Sequence, residues 1–396
     1  MQYEKIGEHI VTPLKVCQSH AGYYIGRLDE YGGPFSRNSK EYFKNLEEAK
    51  SNFLNGNWTP RDTGSIKISL DYNLITEFRN VVNEHEFYIG LLRDSNGKNK
   101  WNLVCSCMDW ISVVAGSLHK LYDFNSDKFT VTLNLMQYIT SVDILSEAIT
   151  QLYRVIKGND LHPLKTDKSI FKQENSTDDN YFKHLRAAFG IHPINLTSKD
   201  GTNKNNNRYF ASWTSNGWFY EGTFSVVLYS NDPYEEDSVL ELDLWDINKY
   251  ALSRYNLLYD LISEVKIIIN KHIKKYLEVP IYITGEPIDQ LEVLKTENSK
   301  RFGNHDGYWW EIDIICKLIK SSSEEIEKLD LQIVNGYRNY LISLIPEIKI
   351  KLENLEYNDE SLGDSYSFIP NQEYIITLDN NVEKIFIEYA MYYNQF

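Results

Sequence analysis

The chain has 396 residues, and its 41 Lys and Arg against 56 Asp and Glu give a net charge of -15, which excludes a protein that wraps nucleic acid through its whole surface. Aromatic residues make up 14% of the chain, which excludes disorder along its length. The four cysteines, Cys17, Cys105, Cys107 and Cys316, form no CxxC pair and have no His at zinc spacing, so neither a disulfide framework nor a structural metal is expected.

The opening segment MQYEKIGEHIVTPLK is interrupted by charge, and no run of about 18 uninterrupted apolar residues follows. The expectation is a cytoplasmic chain with no membrane segment, in which the sequons at Asn57, Asn175 and Asn195 are chance matches.

In chain order, GYYIGRL (22–28) and the turn residues Gly32-Gly33-Pro34 predict a hairpin, and Asn38 or Ser39 predicts the cap of a short helix carrying Phe43, Leu46, Ala49 and Phe53. This ββα module, over residues 1–60, is similar to small modules of phage-associated proteins, a likeness that implies a docking role. Residues 61–197 carry four helical patterns. The first places Leu74, Ile75, Phe78, Val81, Val82, Ile89 and Leu92 on one face from Leu70 to Leu92, with a one-turn gap at the polar Asn83-Glu84-His85-Glu86. The second, Trp101 to about Tyr122, is apolar nearly all round and reads as a central helix. The third, about 131–157, has a stripe of Leu135, Ile139, Val142, Leu145, Ile149, Leu152 and Val155, with Asp143 and Glu147 facing solvent.

Ser176 or Thr177 caps the fourth helix, DDNYFKHLRAAF, whose two acids suit the positive end of the helix dipole. Gly190 is expected to close it in a left-handed C′ position, with Ile191 against Leu185. Short loops between four helices predict an up-and-down bundle. Residues 198–290 then read as a three-stranded antiparallel meander (RYFASWTS, WFYEGTFSVVLYS, SVLELDLW) and a long helix from Asp246 to Tyr276. Residues 291–396 read as helix at about 308–320 and 324–355, broken or kinked at Pro346, with a strand at YIITL. The fold class is therefore mainly α within α+β.

The candidate chemistry lies in YFKHLRAAFGIHPINL. A reversal at Gly190 brings His192 back toward Arg186, and Pro193 keeps His192 out of the helix. This Arg-x5-His spacing on the last helix of a four-helix bundle resembles the HEPN superfamily of nucleotide-directed RNases and toxins, in which an Arg and a His four to six residues apart form the catalytic motif. Arg186 is followed by Ala187, where many members carry a polar residue. A second pair with a matching spacing, Arg79 and His85, would diverge by roughly 120° on a continuous helix.

The resemblance implies a metal-independent, cofactor-free ribonuclease or toxin-type effector, possible in antiviral defence, that acts as a homodimer on RNA. An imidazole titrating near about 6.5 suits His192 to move the 2′-OH proton, and a permanently charged guanidinium suits Arg186 to hold the phosphate. Lys183 and Asn195 are the candidate substrate contacts. The alternative is a HEPN-like scaffold without catalysis, used for dimerisation or ligand binding. The acidic pairs near Glu235 and Glu241 and the segment Pro346-Glu347-Ile348-Lys349 read as solvated charge. The aromatic cluster Trp213, Trp218, Phe219, Tyr220 and Tyr229 reads as packing.

Overall fold

The computed structural model describes residues 4–6, 9–19, 22–59, 68–93, 95–121, 127–159, 161–201, 207–213, 219–220, 222–320, 328–357 and 362. Two short strands, β1 (Glu4–Ile6) and β2 (His9–Val11), precede a sheet of β3 (Lys15–Ser19), β4 (Gly22–Leu28) and β5 (Pro34–Arg37), and α1 (Leu46–Leu54) follows. Next come α2 (Tyr72–Asn83), α3 (Glu86–Arg93), α4 (Trp101–Ser117) with a 3-10 turn over Leu118–Leu121, α5 (Lys128–Ile156), and α6 (Asp178–Arg186) continued by a π turn over Ala187–Ile191. A second sheet holds β6 (Tyr209–Trp213), β7 (Phe219–Tyr220), β8 (Thr223–Ser230) and β9 (Ser238–Asp243). The chain then forms α7 (Leu244–Tyr255), α8 (Leu258–Tyr276), α9 (Pro287–Phe302), α10 (Trp309–Lys320) and α11 (Lys328–Glu353). The protein is α+β and mainly helical. It divides into two compact units, Met1–Ile75 with Cys107–Tyr259, and Thr76–Ser106 with Asp260–Phe396.

In the first unit the N-terminal region is larger than a ββα module. β3, β4 and β5 run antiparallel in that order, and α1 covers β3 and β4 over a core of Ile25, Phe43 and Ala49. Ser39 is not the helix cap. It is fully buried, its hydroxyl accepting the Ile25 N–H at 3.0 Å and donating to the Glu41 carbonyl at 2.9 Å, so it braces the sheet. Asn45 caps α1 instead, accepting the Glu48 N–H. Gly26 is required where β4 meets β5, because a Cβ there would stand 1.8 Å from the Ser36 carbonyl oxygen.

The second sheet is built on β8, which pairs with β9 on one side and with β6 and β7 along the other, all antiparallel. Glu241 of β9 accepts the Tyr42 hydroxyl at 2.8 Å and lies 3.4 Å from Arg37, whose guanidinium stacks 4.3 Å over the Tyr42 ring. Glu241 is thus a tie to the N-terminal sheet as well as a charge. α5 buries Leu135, Ile139, Val142, Leu145, Ile149 and Leu152 of the stripe its periodicity predicts, leaves Val155 half-buried, and packs on α7. Tyr138 donates to Asn248 and Ser146 meets the Tyr250 hydroxyl at 2.9 Å, so polar groups also fasten the pair.

In the second unit α9 packs on α3, α10 and α11. α3 and α9 approach closely at Gly90, where a Cβ would fall 1.9 Å from the Phe302 carbonyl oxygen. His85 stacks on Phe87 at 4.9 Å, and Phe87 stacks on His272 at 4.6 Å. Buried Asn298 closes the turn after α9 by donating to the Asp306 carbonyl at 2.8 Å and accepting the Tyr308 N–H at 2.9 Å.

Several expected elements are divided or shifted. The Leu70–Leu92 pattern is two helices, α2 and α3, separated at Glu84 and His85, where polar residues offer no core face. The helix expected from Asp246 to Tyr276 breaks at Asn256–Leu257, where the Leu257 N–H takes the Arg254 carbonyl at 3.1 Å in a tightened turn. Pro346 does not break α11, because Leu344, Ile345 and Ile348 around it are buried and hold the helix on its core. α4 is one-sided: Val104, Met108, Ile111 and Val114 are buried, whereas Trp110 and Val113 are 50% and 55% exposed. The span Trp101–Leu121 is long and apolar enough to cross a membrane by length and composition, with 39% of its window buried. YIITL lies outside the described residues.

The glycines give a direct test of the α3–α9 contact. Gly90→Ala should lower unfolding stability by about 1–3 kcal/mol through overpacking against backbone that cannot yield. Gly116→Ala, whose Cβ would meet only Tyr72 at 3.5 Å, should be neutral or stabilising. Urea midpoints of the two variants measure the contrast, and equal midpoints would contradict the close approach.

Candidate functional site

α6 starts as its sequence predicts, with the Thr177 hydroxyl accepting the Asn180 N–H at 3.3 Å. Its two first-turn acids do more than complement the dipole. Asp178, 1% exposed, accepts the N–H groups of Ile170 and Phe171 at 3.2 and 3.0 Å and so pins the preceding loop. Asp179 accepts Arg254 Nη2 at 2.8 Å, Arg254 Nε at 3.2 Å and the Tyr250 hydroxyl at 2.9 Å through one oxygen, and His162 Nε2 lies 3.2 Å from the other.

Arg254 is 1% exposed, and its guanidinium stacks 4.1 Å over the Tyr250 ring. Burial alone would raise the Asp179 pKa, but the hydrogen bond from His162 and the charge and hydrogen bonds of Arg254 outweigh it, and with Tyr250 they hold the carboxyl near about 2. This cluster was not singled out in the sequence. Its one linear signal is Arg254, a charge that falls four residues after Tyr250 and three after Ala251, on the apolar stripe of α7.

At its C-terminal end α6 departs from the expected geometry. Gly190 does not adopt a left-handed conformation, and no Schellman reversal forms. Residues Ala187–Ile191 continue as a π turn, and the His192 N–H bonds the Ala187 carbonyl at 3.0 Å, five residues back. The extra residue in the turn is accommodated by Phe189, which is buried and meets Trp213 of β6 edge-on at 5.8 Å. After the turn the chain is tied to β6, with the Ala211 N–H on the Pro193 carbonyl at 2.6 Å and a bridge between Leu196 and Tyr209.

This local structure places the four predicted site residues. Arg186 ends α6, is half-buried, and donates from Nη1 to Asp143 of α5 at 2.6 Å. Its Nε is buried without a hydrogen-bond partner among the described residues. His192 is exposed directly after the π turn, and no hydrogen bond joins it to Arg186 among the described residues. Lys183 and Asn195 are exposed, and the Asn195 N–H bonds the His192 carbonyl at 3.1 Å. Asp143 is therefore a partner of the candidate Arg, whereas Glu147, one turn on, is exposed and accepts from Gln151 at 2.5 Å.

The other candidate pair is not assembled. Arg79 lies within α2, and His85 lies in the α2–α3 break with its ring on Phe87. The buried histidine of α6 is His184, which burial holds below its ordinary pKa against the raising influence of Asp200 and of a backbone hydrogen bond at Lys199. Trp213 also meets Phe224 edge-on at 6.5 Å, so it packs inside its sheet, while Trp218 lies outside the described residues. Burial pushes the Cys17 and Cys107 thiols up to about 11. Among the described residues no three His, Cys, Asp or Glu side chains gather as a metal site. The chain matches no protein-family model, no curated protein and no solved structure, so its reading rests on these residues.

The Asp179 cluster has a pH signature. Its folded pKa near about 2 lies below the ordinary 3.8, so the stability it contributes is complete above about pH 4 and is lost as pH falls toward 2. The difference corresponds to about 2 kcal/mol. Thermal midpoints of the wild type should fall more steeply from pH 4 to 2 than those of Asp179→Asn, and parallel curves would show that the carboxylate is not held in this way.

Proposed function

We propose that the end of α6 is a metal-independent ribonuclease centre of HEPN type, in which Arg186 anchors the scissile phosphate and His192 transfers the proton. The observation that supports it best is the placement of an accessible imidazole directly after a helix that ends on a fixed guanidinium. The π turn fixes the His192 backbone through Ala187, and Asp143 fixes Arg186 while leaving its side chain 27% exposed. On this reading the phosphate competes with Asp143 for the guanidinium, a bidentate group suited to both. Lys183 and Asn195, both exposed, extend the contact to the RNA backbone and bases.

In the cleavage step the 2′-oxygen attacks the adjacent phosphorus as its proton passes to a base. The 5′-oxygen leaves as it gains a proton, and a 2′,3′-cyclic phosphate remains. One imidazole cannot be base and acid in the same step, so the active form is a homodimer that brings two His192 side chains to one phosphodiester. The four-helix arrangement over about residues 64–196 belongs to this proposal, supported by the contacts of α5 with α6 and with the π turn. So do a cytoplasmic location and a toxin-type role in antiviral defence.

One observation favours the scaffold reading instead. The Arg186–Asp143 bond links α6 to α5, which is what a purely structural arginine would do. The two readings separate on activity. Purified protein should cut RNA but not DNA of the same sequence in the presence of EDTA. His192→Ala should slow cleavage by about two to four orders of magnitude with the thermal midpoint nearly unchanged, since the side chain is exposed. His85→Ala should leave cleavage intact. RNA that survives the wild-type protein hands the site to the scaffold reading. The proposal also expects a dimer in light scattering at micromolar concentration, and a strict monomer, with and without RNA, counts against catalysis.

A further inference from the structure

A groove in the second unit has a different chemistry from the rest of this acidic chain. It occupies about 680 Å³, within the range of small-molecule sites, between the end of α8, the segment after it, and α9. Its charged lining is Lys275, Lys300 and Arg301 against the single acid Glu297, an excess of positive charge on a protein of net charge -15. Such a local inversion focuses field lines and draws an anion to one place.

The groove is also built rather than incidental. Arg301, 1% exposed, forms its floor: it pairs with Glu297, donates to the Val279 carbonyl at 3.2 Å, and stands 5.1 Å over the Tyr276 ring. The segment after α8 is held by the Glu278 N–H on the Glu353 carbonyl at 2.8 Å and the Ile281 N–H on the Glu353 carboxylate at 2.5 Å. Glu278 itself takes a left-handed backbone, φ 57°, which a side chain disfavours and which the surrounding bonds must maintain.

Two features select the ligand. Lys275 has no carboxylate partner among the described residues and lies 4.7 Å over the Tyr276 ring, while Lys300 already holds Glu297 at 2.7 Å. Lys275 is thus the cation free to meet a phosphate, with Lys300 beside it. Tyr282, on the same wall, is 84% exposed and offers a bare ring face at the groove's edge. We propose that this groove binds a nucleoside phosphate, with Lys275 and Lys300 on the phosphates and Tyr282 stacked on the base. A base needs an aromatic face and phosphates need point charges, and the groove holds both. This site lies apart from Arg186 and His192 in the sequence and does not depend on them.

The experiment is calorimetric titration of the full chain with ADP, adenosine and inorganic phosphate in parallel. ADP should bind, and adenosine and phosphate should each bind at least about tenfold more weakly. Tyr282→Ala should weaken ADP by about tenfold or more, the effect of losing one stacked base. Lys275→Ala with Lys300→Ala should weaken ADP and flatten its dependence on salt. Both sets of side chains are exposed, so thermal midpoints should not move, and His192→Ala should bind ADP as the wild type does. The proposal is overturned if ADP gives no binding at millimolar concentration, if phosphate alone binds as tightly as ADP, or if neither variant changes ADP affinity.

Discussion

The candidate centre on α6 rests on a buried charge that is not part of it. Asp179 and Arg254 lie out of water, and taking two such ions from solvent costs several kcal/mol that only dense hydrogen bonding can offset. Here the carboxylate receives two bonds from the guanidinium and one from Tyr250, with His162 at its second oxygen. The four residues of the cluster, His162, Asp179, Tyr250 and Arg254, come from the loop before α6, from α6 itself and from α7. Removing Asp179 or Arg254 leaves the other as an unpaired charge in the interior, a loss of about 3–5 kcal/mol in comparable pairs. The start of α6 is thereby fixed in direction, and Asp178, one residue earlier, fixes the loop by accepting two backbone N–H groups. Nine helical residues then carry that direction to Arg186.

The other end of α6 is set by a different constraint. A left-handed glycine would end the helix at once and free His192 to turn back. The chain instead inserts one residue into the last turn, which keeps Phe189 buried against Trp213 while the main chain descends onto β6. Packing of an aromatic side chain prevails over the usual preference of glycine for a helix stop. The consequence is that Arg186 and His192 are presented one after the other along a widened helix end rather than folded onto each other.

Much of the helical architecture was legible because it follows from periodicity. The α2–α3 stripe and all of the α5 stripe but Val155 name buried residues, and Thr177 caps α6 as its side chain dictates. What was not legible came from polar groups acting at a distance. Ser39 looks like a cap because serine often is one, yet its hydroxyl serves β4. Asp143 looks solvated on α5 and Asp179 looks like an ordinary first-turn acid, because the arginines that hold them lie 43 and 75 residues away. α9 escaped notice for a related reason: its polar sequence buries Asn298 and Arg301, and no apolar stripe announces it.

Burial separates three of the arginine–carboxylate pairs. Arg254, Arg301 and Arg186 each hold a carboxylate, but the first two are 1% exposed and the third is 27% exposed at the side chain. A guanidinium sealed from water cannot exchange its carboxylate for a phosphate without exposing or stranding the acid, and the penalty grows with burial. Asp179 would be stranded under Tyr250 and His162, and Glu297 would be left to Lys300 alone. Asp143 is itself 21% exposed, so water can solvate it when its partner turns away. Of the three pairs, the one on α6 is therefore the most readily opened, which is what the proposed reading asks of it, and the other two serve best by staying closed, one beneath the helix and one beneath the groove.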